Sequence, residues 1–463
     1  MSKILDKTIA VGLLVLVTFT ALAFGTVEPW SIALFELGAT LLLLLWAVKA
    51  VIDKRLTVNV PATAFPLIFF VALALVECVS YTASDGRRVS LSKDVDATRS
   101  TVLMLIFLLV SFIIAANFFA SRERFGTLIR FLIFYGVALA LFGLIQNFTW
   151  EGRVYGFRVS KVGQGFGPFI NRNHFAGYME MLIPVPISLI VARVVHKQSW
   201  MFYGFAAAIM GLALVISNSR GGMISLMAGL IFIAVASSQL RRNIERRRFE
   251  QNRTASILKR VGAIAAIGAA IFIGVIWIGA EEIVRRASDT IDQVKGTNNL
   301  QQPYVSREWI WKGTWSMVRA NPLLGVGIGA YETVYPTYAG GDDPYFRIDF
   351  AHNDYLQVLA DAGLVGGLLA LWFIVLVARA VLRGIKASDP WMAAMALAAG
   401  AGIFSLLVHS LFDFNLQIPS NSLLFLLLSA VASYAGANAD RQTGEGALKQ
   451  AARSDRGELA TGV

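Results

Sequence analysis

The sequence predicts an all-α polytopic membrane protein of about twelve transmembrane helices, with one large loop outside the bilayer. Three observations predict it. The 463 residues are 56% hydrophobic and 15% charged, where soluble domains carry about 25% charged residues. Apolar runs of eighteen residues or more recur from end to end, each able to cross a hydrocarbon core of about 30 Å as a helix. A single long polar interval, 281–357, interrupts them. Spans of this kind must be helical, because lipid offers nothing to free backbone N–H and C=O groups.

In chain order the expected spans are 8–25, 31–52, 62–81, 100–119, 126–148, 174–194, 200–217, 222–239, 261–280, 359–380, 390–411 and 421–437. The first follows Lys3 and Lys7 and contains Ala21-Leu22-Ala23, so a cleaved signal peptide is the competing reading. Its apolar length exceeds the usual core of about 7–15 residues, and a second span follows at once, so it reads as a retained helix. Residues 1–437 form one membrane domain that includes the loop 281–357, and 438–463 read as a disordered cytoplasmic tail. Cys78 is the one cysteine. It rules out an intrachain disulfide and any cysteine-based metal site.

The net charge of +11 is not spread evenly. Alternate connections hold Lys3 and Lys7, Lys49 to Arg55, Arg122 to Arg130, Arg193 with Lys197, the dense run Arg241 to Arg260, and Arg379 to Lys386. The positive-inside rule makes that face, and both termini, cytoplasmic. The run Arg241-Arg242-Asn243-Ile244-Glu245-Arg246-Arg247-Arg248 is then a topology determinant beside anionic membrane lipid. No nucleic-acid partner is expected.

The polar motifs fall on the opposite face, in 163–174, 218–222, 281–357 and 409–421. Their convergence argues for one shared site. Asn218 or Ser219 can cap the eighth span, and Arg220 adds a fork that grips phosphate. Arg220 also fits a snorkelling interfacial arginine beside packing glycines. Arg307, Trp311 and Trp315 follow an i, i+4, i+8 spacing. They suit an amphipathic helix on the bilayer, or a second phosphate ligand in Arg307. Asn321-Pro322-Leu323-Leu324-Gly325-Val326-Gly327-Ile328-Gly329 is a tight bend; as a dinucleotide fingerprint it fails for want of a parallel strand.

His352, in Ala351-His352-Asn353-Asp354-Tyr355-Leu356-Gln357, can take a proton from a sugar hydroxyl near neutral pH. Asn353 or Asp354 can orient its ring, or can cap the tenth span. Arg172 and His174, in Asn171-Arg172-Asn173-His174, can touch a glycan or phosphate, or cap the sixth span. Pro184 and Pro186 suggest a kink there, and Glu180 is an acid inside a span, where acids face a polar interior. His409, Asp413 and Asn415 read as secondary or structural groups, and His196 as inert. Asp94-Val95-Asp96 is a weak D-x-D metal motif, and no metal site is expected.

Taken together these residues resemble the O-antigen ligase/polymerase family of bacterial inner-membrane proteins. The likeness rests on Phe169 to Tyr178, Ser219-Arg220-Gly221-Gly222, Arg307 ahead of Asn321 to Gly327, Ala351 to Gln357, and Asp361 to Gly366. It implies a GT-C-like helical architecture and a metal-independent, inverting glycosyltransferase with no cofactor, working at the periplasmic face of the inner membrane. It implies undecaprenyl pyrophosphate-linked glycan as donor and a sugar hydroxyl of lipid A–core, or another lipid-linked glycan, as acceptor. Carried over by position, His352 is the base, and Arg220 and Arg307 hold the pyrophosphate. Arg172, His174, Asn353 and Asp354 are possible further substrate contacts. The competing readings are a polysaccharide polymerase with the same donor and a lipid-linked glycan transporter. A transporter would thread ionisable groups through the bilayer interior, whereas here they gather at one face.

Overall fold

The structure, a computed structural model, describes residues 1–82, 84–86, 88–149, 151–159, 165–245, 307–339 and 348–460. It is an all-α multi-pass membrane protein, with ten described helices long and apolar enough to cross a membrane. They are α1 (Ser2–Leu22), α2 (Pro29–Ile52), α4 (Val95–Phe118), α5 (Arg122–Phe148), α6 with α7 (Arg172–Leu182 and Pro184–Val191), α8 (Trp200–Ile216), α9 (Arg220–Glu245), α11 (Asp354–Gly384), α12 (Pro390–His409) and α13 (Pro419–Ala460). The missing N–H groups of Pro184 and Pro186 explain the break between α6 and α7.

Two expectations need adjustment. The span placed at 62–81 is a shorter helix, α3 (Ala64–Glu77), of 14 residues. At 1.5 Å per residue it rises only about 21 Å. It stops because the chain turns into a hairpin, β1 (Ser80–Thr82) with β2 (Arg88–Ser90). The last helix runs on to Ala460, into the stretch expected from sequence to be a disordered tail. Alanine is the commonest residue of that stretch, and alanine has the highest helix propensity. The expected span 261–280, the loop portion 281–306, the basic run beyond residue 245 and the start of the polar stretch at Gly163 lie outside the described residues.

Helix α12 is the hub. It packs on α6, α7, α9, α11 and α13, and Met392 to Gly402 is almost wholly Ala, Gly and Met, buried throughout. Small residues let the backbones approach closely, which drives helix association where lipid offers no hydrophobic gain. A Cβ at Gly402 would lie 2.7 Å from the Met181 carbonyl oxygen.

The helices order the polar connections into two ends. At one end Arg124 pairs with Asp6 at 2.8 Å, Arg122 with Asp389 at 3.4 Å, and Arg383 with Asp440 at 3.0 Å. The opposite end collects the connections 165–172, 217–220, 321–339, 348–354 and 410–418. It also carries helix α10 (Arg307–Ala320) and the hairpin β3 (Arg153–Val154) with β4 (Arg158–Val159).

The described part of the large loop has its own core, in which Ile310, Met317, Val326, Tyr331, Tyr335 and Ala351 are buried together. The buried face of α10 is therefore Ile310, Gly313, Thr314, Met317 and Val318, not the stripe of Arg307, Trp311 and Trp315. Trp315 stays exposed, with the Arg319 guanidinium over its ring at 5.7 Å. Docking of this loop onto the helices depends on an interruption in α11. Gly363 has φ +60° and ψ −158°, which breaks the hydrogen-bond ladder. The groups on either side of the break then bond the glycine-rich bend. Leu364 and Val365 donate to the Pro322 and Leu323 carbonyls at 2.8 and 3.1 Å, and Val326 and Gly327 donate to those of Ala360 and Asp361 at 2.9 Å each. The bend is thus a docking element.

Candidate functional site

The site is assembled on Asp413, in the short connection between α12 and α13. One carboxylate oxygen, Oδ1, accepts the Phe414 N–H at 2.9 Å and lies 3.4 Å from His352 Nδ1. The other accepts the Asn173 amide at 2.6 Å. The carboxylate is 1% exposed, and the His352 side chain is 33% exposed. Burial opposes ionisation of Asp413. The His352 and His174 rings and the Arg307 guanidinium outweigh it and hold the carboxyl well below the usual carboxylate range. The ring of Phe414 meets both His352 (centroids 4.7 Å apart) and His174 (4.9 Å) edge to face, and stacks on Phe350.

His352 is held there by its backbone. It has φ +50°, a left-handed conformation uncommon outside glycine, and the neighbouring bonds enforce it. The Ala351 N–H donates to Gln357 Oε1 at 2.7 Å, and the Ala351 carbonyl accepts the Trp311 indole N–H at 3.0 Å. Asn353 caps α11 by accepting from the Tyr355 and Leu356 N–H groups at 3.0 Å each, and its amide donates to the Leu411 carbonyl. Buried Asp354 accepts from the Ser410 hydroxyl at 2.7 Å and the Leu416 N–H at 3.1 Å. This corrects one expectation. Asn353 and Asp354 do not orient the His352 ring, because their side chains are committed to the cap and to the 410–416 connection; Asp413 faces the ring instead.

The other candidates fall as follows. Arg307 opens α10, and its charge acts on both Asp413 and His409. Ser219 caps α9, its hydroxyl accepting the Gly222 N–H at 3.2 Å, so that Arg220 stands on the helix's first turn. That turn lies at the same end as His352. A Cβ at Gly221 would sit 2.8 Å from His409 Nε2, and the Asp413 N–H donates to the His409 carbonyl at 3.1 Å. His174 is buried beside Phe414, with Nε2 3.4 Å from the Asn171 amide. Arg172 faces sideways into a cavity of about 280 Å³ that Asn147 and Asn218 also line. Asp94 caps α4 at 3.0 Å from the Ala97 N–H, and Asp96 pairs with Arg99 on the surface, so the D-x-D is spent on helix structure. Among the described residues no three His, Cys, Asp or Glu side chains are grouped as a metal site.

Four separate polar stretches therefore meet, with Arg220, Arg307, His174 and His352 at one end of the helices. The stretch that supplies Arg220, Arg307 and His352 is similar to a known family. Residues 205–371 match the family model described as O-antigen ligase (Wzy_C). The match supports a membrane glycosyltransferase-type function in O-antigen biosynthesis. No curated protein matches the chain. The matched stretch stops short of Asp413, His409 and Phe414, and begins after Asn173 and His174, so the site draws on helices beyond it on both sides.

Sequence reasoning passed over Asp413, Asn173 and Trp311 as site-builders. The available signal was the polar run His409 to Asn421 between two apolar spans. Two outcomes test the geometry. Trp311→Phe removes the only indole donor to Ala351 among the described residues, and is expected to lower turnover about tenfold with little change in the thermal midpoint. Asp413 sets a pH window. A carboxyl held below its ordinary value stabilises the fold above the unfolded pKa of about 3.9 and loses that contribution as pH falls toward the folded value. The gap in thermal midpoint between the wild type and Asp413→Asn is expected to stay constant from about pH 8 to 5 and to narrow only below about pH 4.

Proposed function

We propose that the chain transfers a glycan from undecaprenyl pyrophosphate to a sugar hydroxyl of lipid A–core, at the periplasmic face of the bacterial inner membrane. The observation that carries this is the buried Asp413 carboxylate facing Nδ1 of a partly exposed His352, which lies in the stretch that matches the O-antigen ligase family model. Nδ1 directed at Asp413 leaves Nε2 to accept the acceptor's proton, and the carboxylate stabilises the imidazolium that results. Arg220 and the first N–H groups of α9, with Arg307 from α10, supply positive charge for the pyrophosphate.

The reaction balances without a further group. The acceptor oxygen forms a bond to the anomeric carbon as the bond to the pyrophosphate oxygen breaks, and the proton passes to His352. The leaving group is already a stable anion, so the protein need only neutralise it and remove one proton. Attack opposite the leaving group inverts the anomeric centre; a retained configuration in the product would overturn single displacement. The basic end of the helices then lies in the cytoplasm with both termini.

The test is reconstitution of the purified protein with carrier-linked glycan and an acceptor, where a new glycosidic bond is expected and its absence overturns the reading. Arg220→Lys and Arg307→Lys keep the charge but lose the bidentate fork. Each is expected to raise the donor KM about tenfold, read from initial rates against donor concentration. Glycan profiling of a deletion strain separates ligase from polymerase. Unligated long chains on the carrier support the ligase, and single repeats replace it with the polymerase.

A further inference from the structure

Beneath the arginine turn lies a pair of side chains that the transfer chemistry does not use. Glu180, in the middle of the α6–α7 span, and His409, the last residue of α12, are 0% and 1% exposed. Nδ1 of His409 lies 3.2 and 3.1 Å from the two Glu180 oxygens. We propose that they form a buried positioning pair for the diphosphate-gripping turn at Arg220; this rests on the phosphate-binding role proposed for that turn.

An acid inside a span is expensive, and in a helix core otherwise built from Ala, Gly and Met an apolar pair would pack more cheaply. The location shows what the pair serves. Glu180 fixes the ring by bonding Nδ1 through its carboxyl oxygens, which turns the opposite edge to α9. There Nε2 and Cδ2 would lie 2.8 and 2.9 Å from a Cβ at position 221, so only glycine lets the helix sit on the ring. Gly222 does the same against α6, where an added Cβ would fall 2.6 Å from that of Ala176. Arg220 is the residue before this double seat, and the Ser225 hydroxyl ties the turn by donating to the Gly221 carbonyl at 2.8 Å.

The ring is also tied to the rest of the site, because the His409 carbonyl accepts the Asp413 N–H at 3.1 Å. The pair therefore fixes the height of the arginine turn relative to the carboxylate that faces His352. Neither Glu180 nor His409 touches the reacting atoms. They are positioning residues.

The experiment uses the full-length protein in lipid, with undecaprenyl pyrophosphate-linked glycan as the probe, and reads donor KM and kcat separately for Glu180→Gln, Arg220→Lys and their combination. Glu180→Gln keeps the shape and removes the charge. It is expected to raise donor KM about tenfold with kcat within about threefold of wild type, and to add almost nothing once Arg220 is already lysine. An unchanged donor KM overturns the proposal. So does a defect that adds in full to that of Arg220→Lys alongside a lowered thermal midpoint, since that is a structural role alone. If Glu180→Gln fails to fold, Gly221→Ala keeps the pair but pushes the turn off the ring, and the same two outcomes decide. Failure of the wild type to make any product would instead sink the proposed function, and it shows in a different sample.

Discussion

His352→Asn is expected to lower glycan transfer by roughly 10²–10⁴-fold, the usual contribution of a positioned general base, with a thermal midpoint close to that of the wild type. Asparagine is the informative replacement. Position 352 has φ +50°, and asparagine tolerates that left-handed conformation better than most residues, so the variant tests chemistry rather than backbone strain. Its amide can still donate toward Asp413, but it cannot carry a proton away from a hydroxyl. Donor binding should survive, because Arg220 and Arg307 lie on other elements. The measurement is product formation by mass spectrometry alongside donor KM. Transfer within tenfold of wild type would remove His352 from the reaction and leave the Asp413 contact as structure only.

The helical architecture is legible because spans announce themselves by length and composition, and α1, α2, α4, α5, α8 and α12 lie close to where the apolar runs put them. The end of α3 is not, since hydropathy continues past Glu77 while the backbone leaves for a hairpin. Arg220 and His352 draw notice because each is a charged or titratable group at the mouth of a span, and Arg307 because it stands in the one long polar loop. Asp413 cannot, because adjacency in sequence makes Asn353 and Asp354 the obvious partners for His352. The partner lies 61 positions further on, brought back by Asp354 gripping Ser410 and Leu416. The helical period also points the wrong way in α10. A stripe of Arg307, Trp311 and Trp315 is one face of a helix, but Tyr331 and Tyr335 pack on another, which no local pattern reveals.

Gly363→Ala is expected to destabilise the fold by about 3 kcal/mol or more, and to abolish transfer from a position in the interior of α11. Two independent penalties add. The residue occupies φ +60° and ψ −158°, a region essentially reserved for glycine. An added Cβ would also run into the Leu323 carbonyl group and the Gly325 nitrogen, which are backbone atoms and cannot rotate away. A helical conformation at 363 would relieve the strain. It would also close the ladder that now leaves Leu364 and Val365 free to bond the Pro322 and Leu323 carbonyls, and the bend would lose its dock. Arg307 and Trp311 reach the site only through that docked loop, so the loss passes to Asp413 and to the Ala351 carbonyl. The expected signature is separable from a simple core defect. Limited proteolysis should cut within the loop while the helices on either side stay intact, and Gly86→Ala, at a positive φ with no atom within 4 Å of the added Cβ, should leave both proteolysis and transfer close to wild type. A Gly363→Ala protein that resists cleavage and retains activity would mean that the interruption of α11 does not hold the loop.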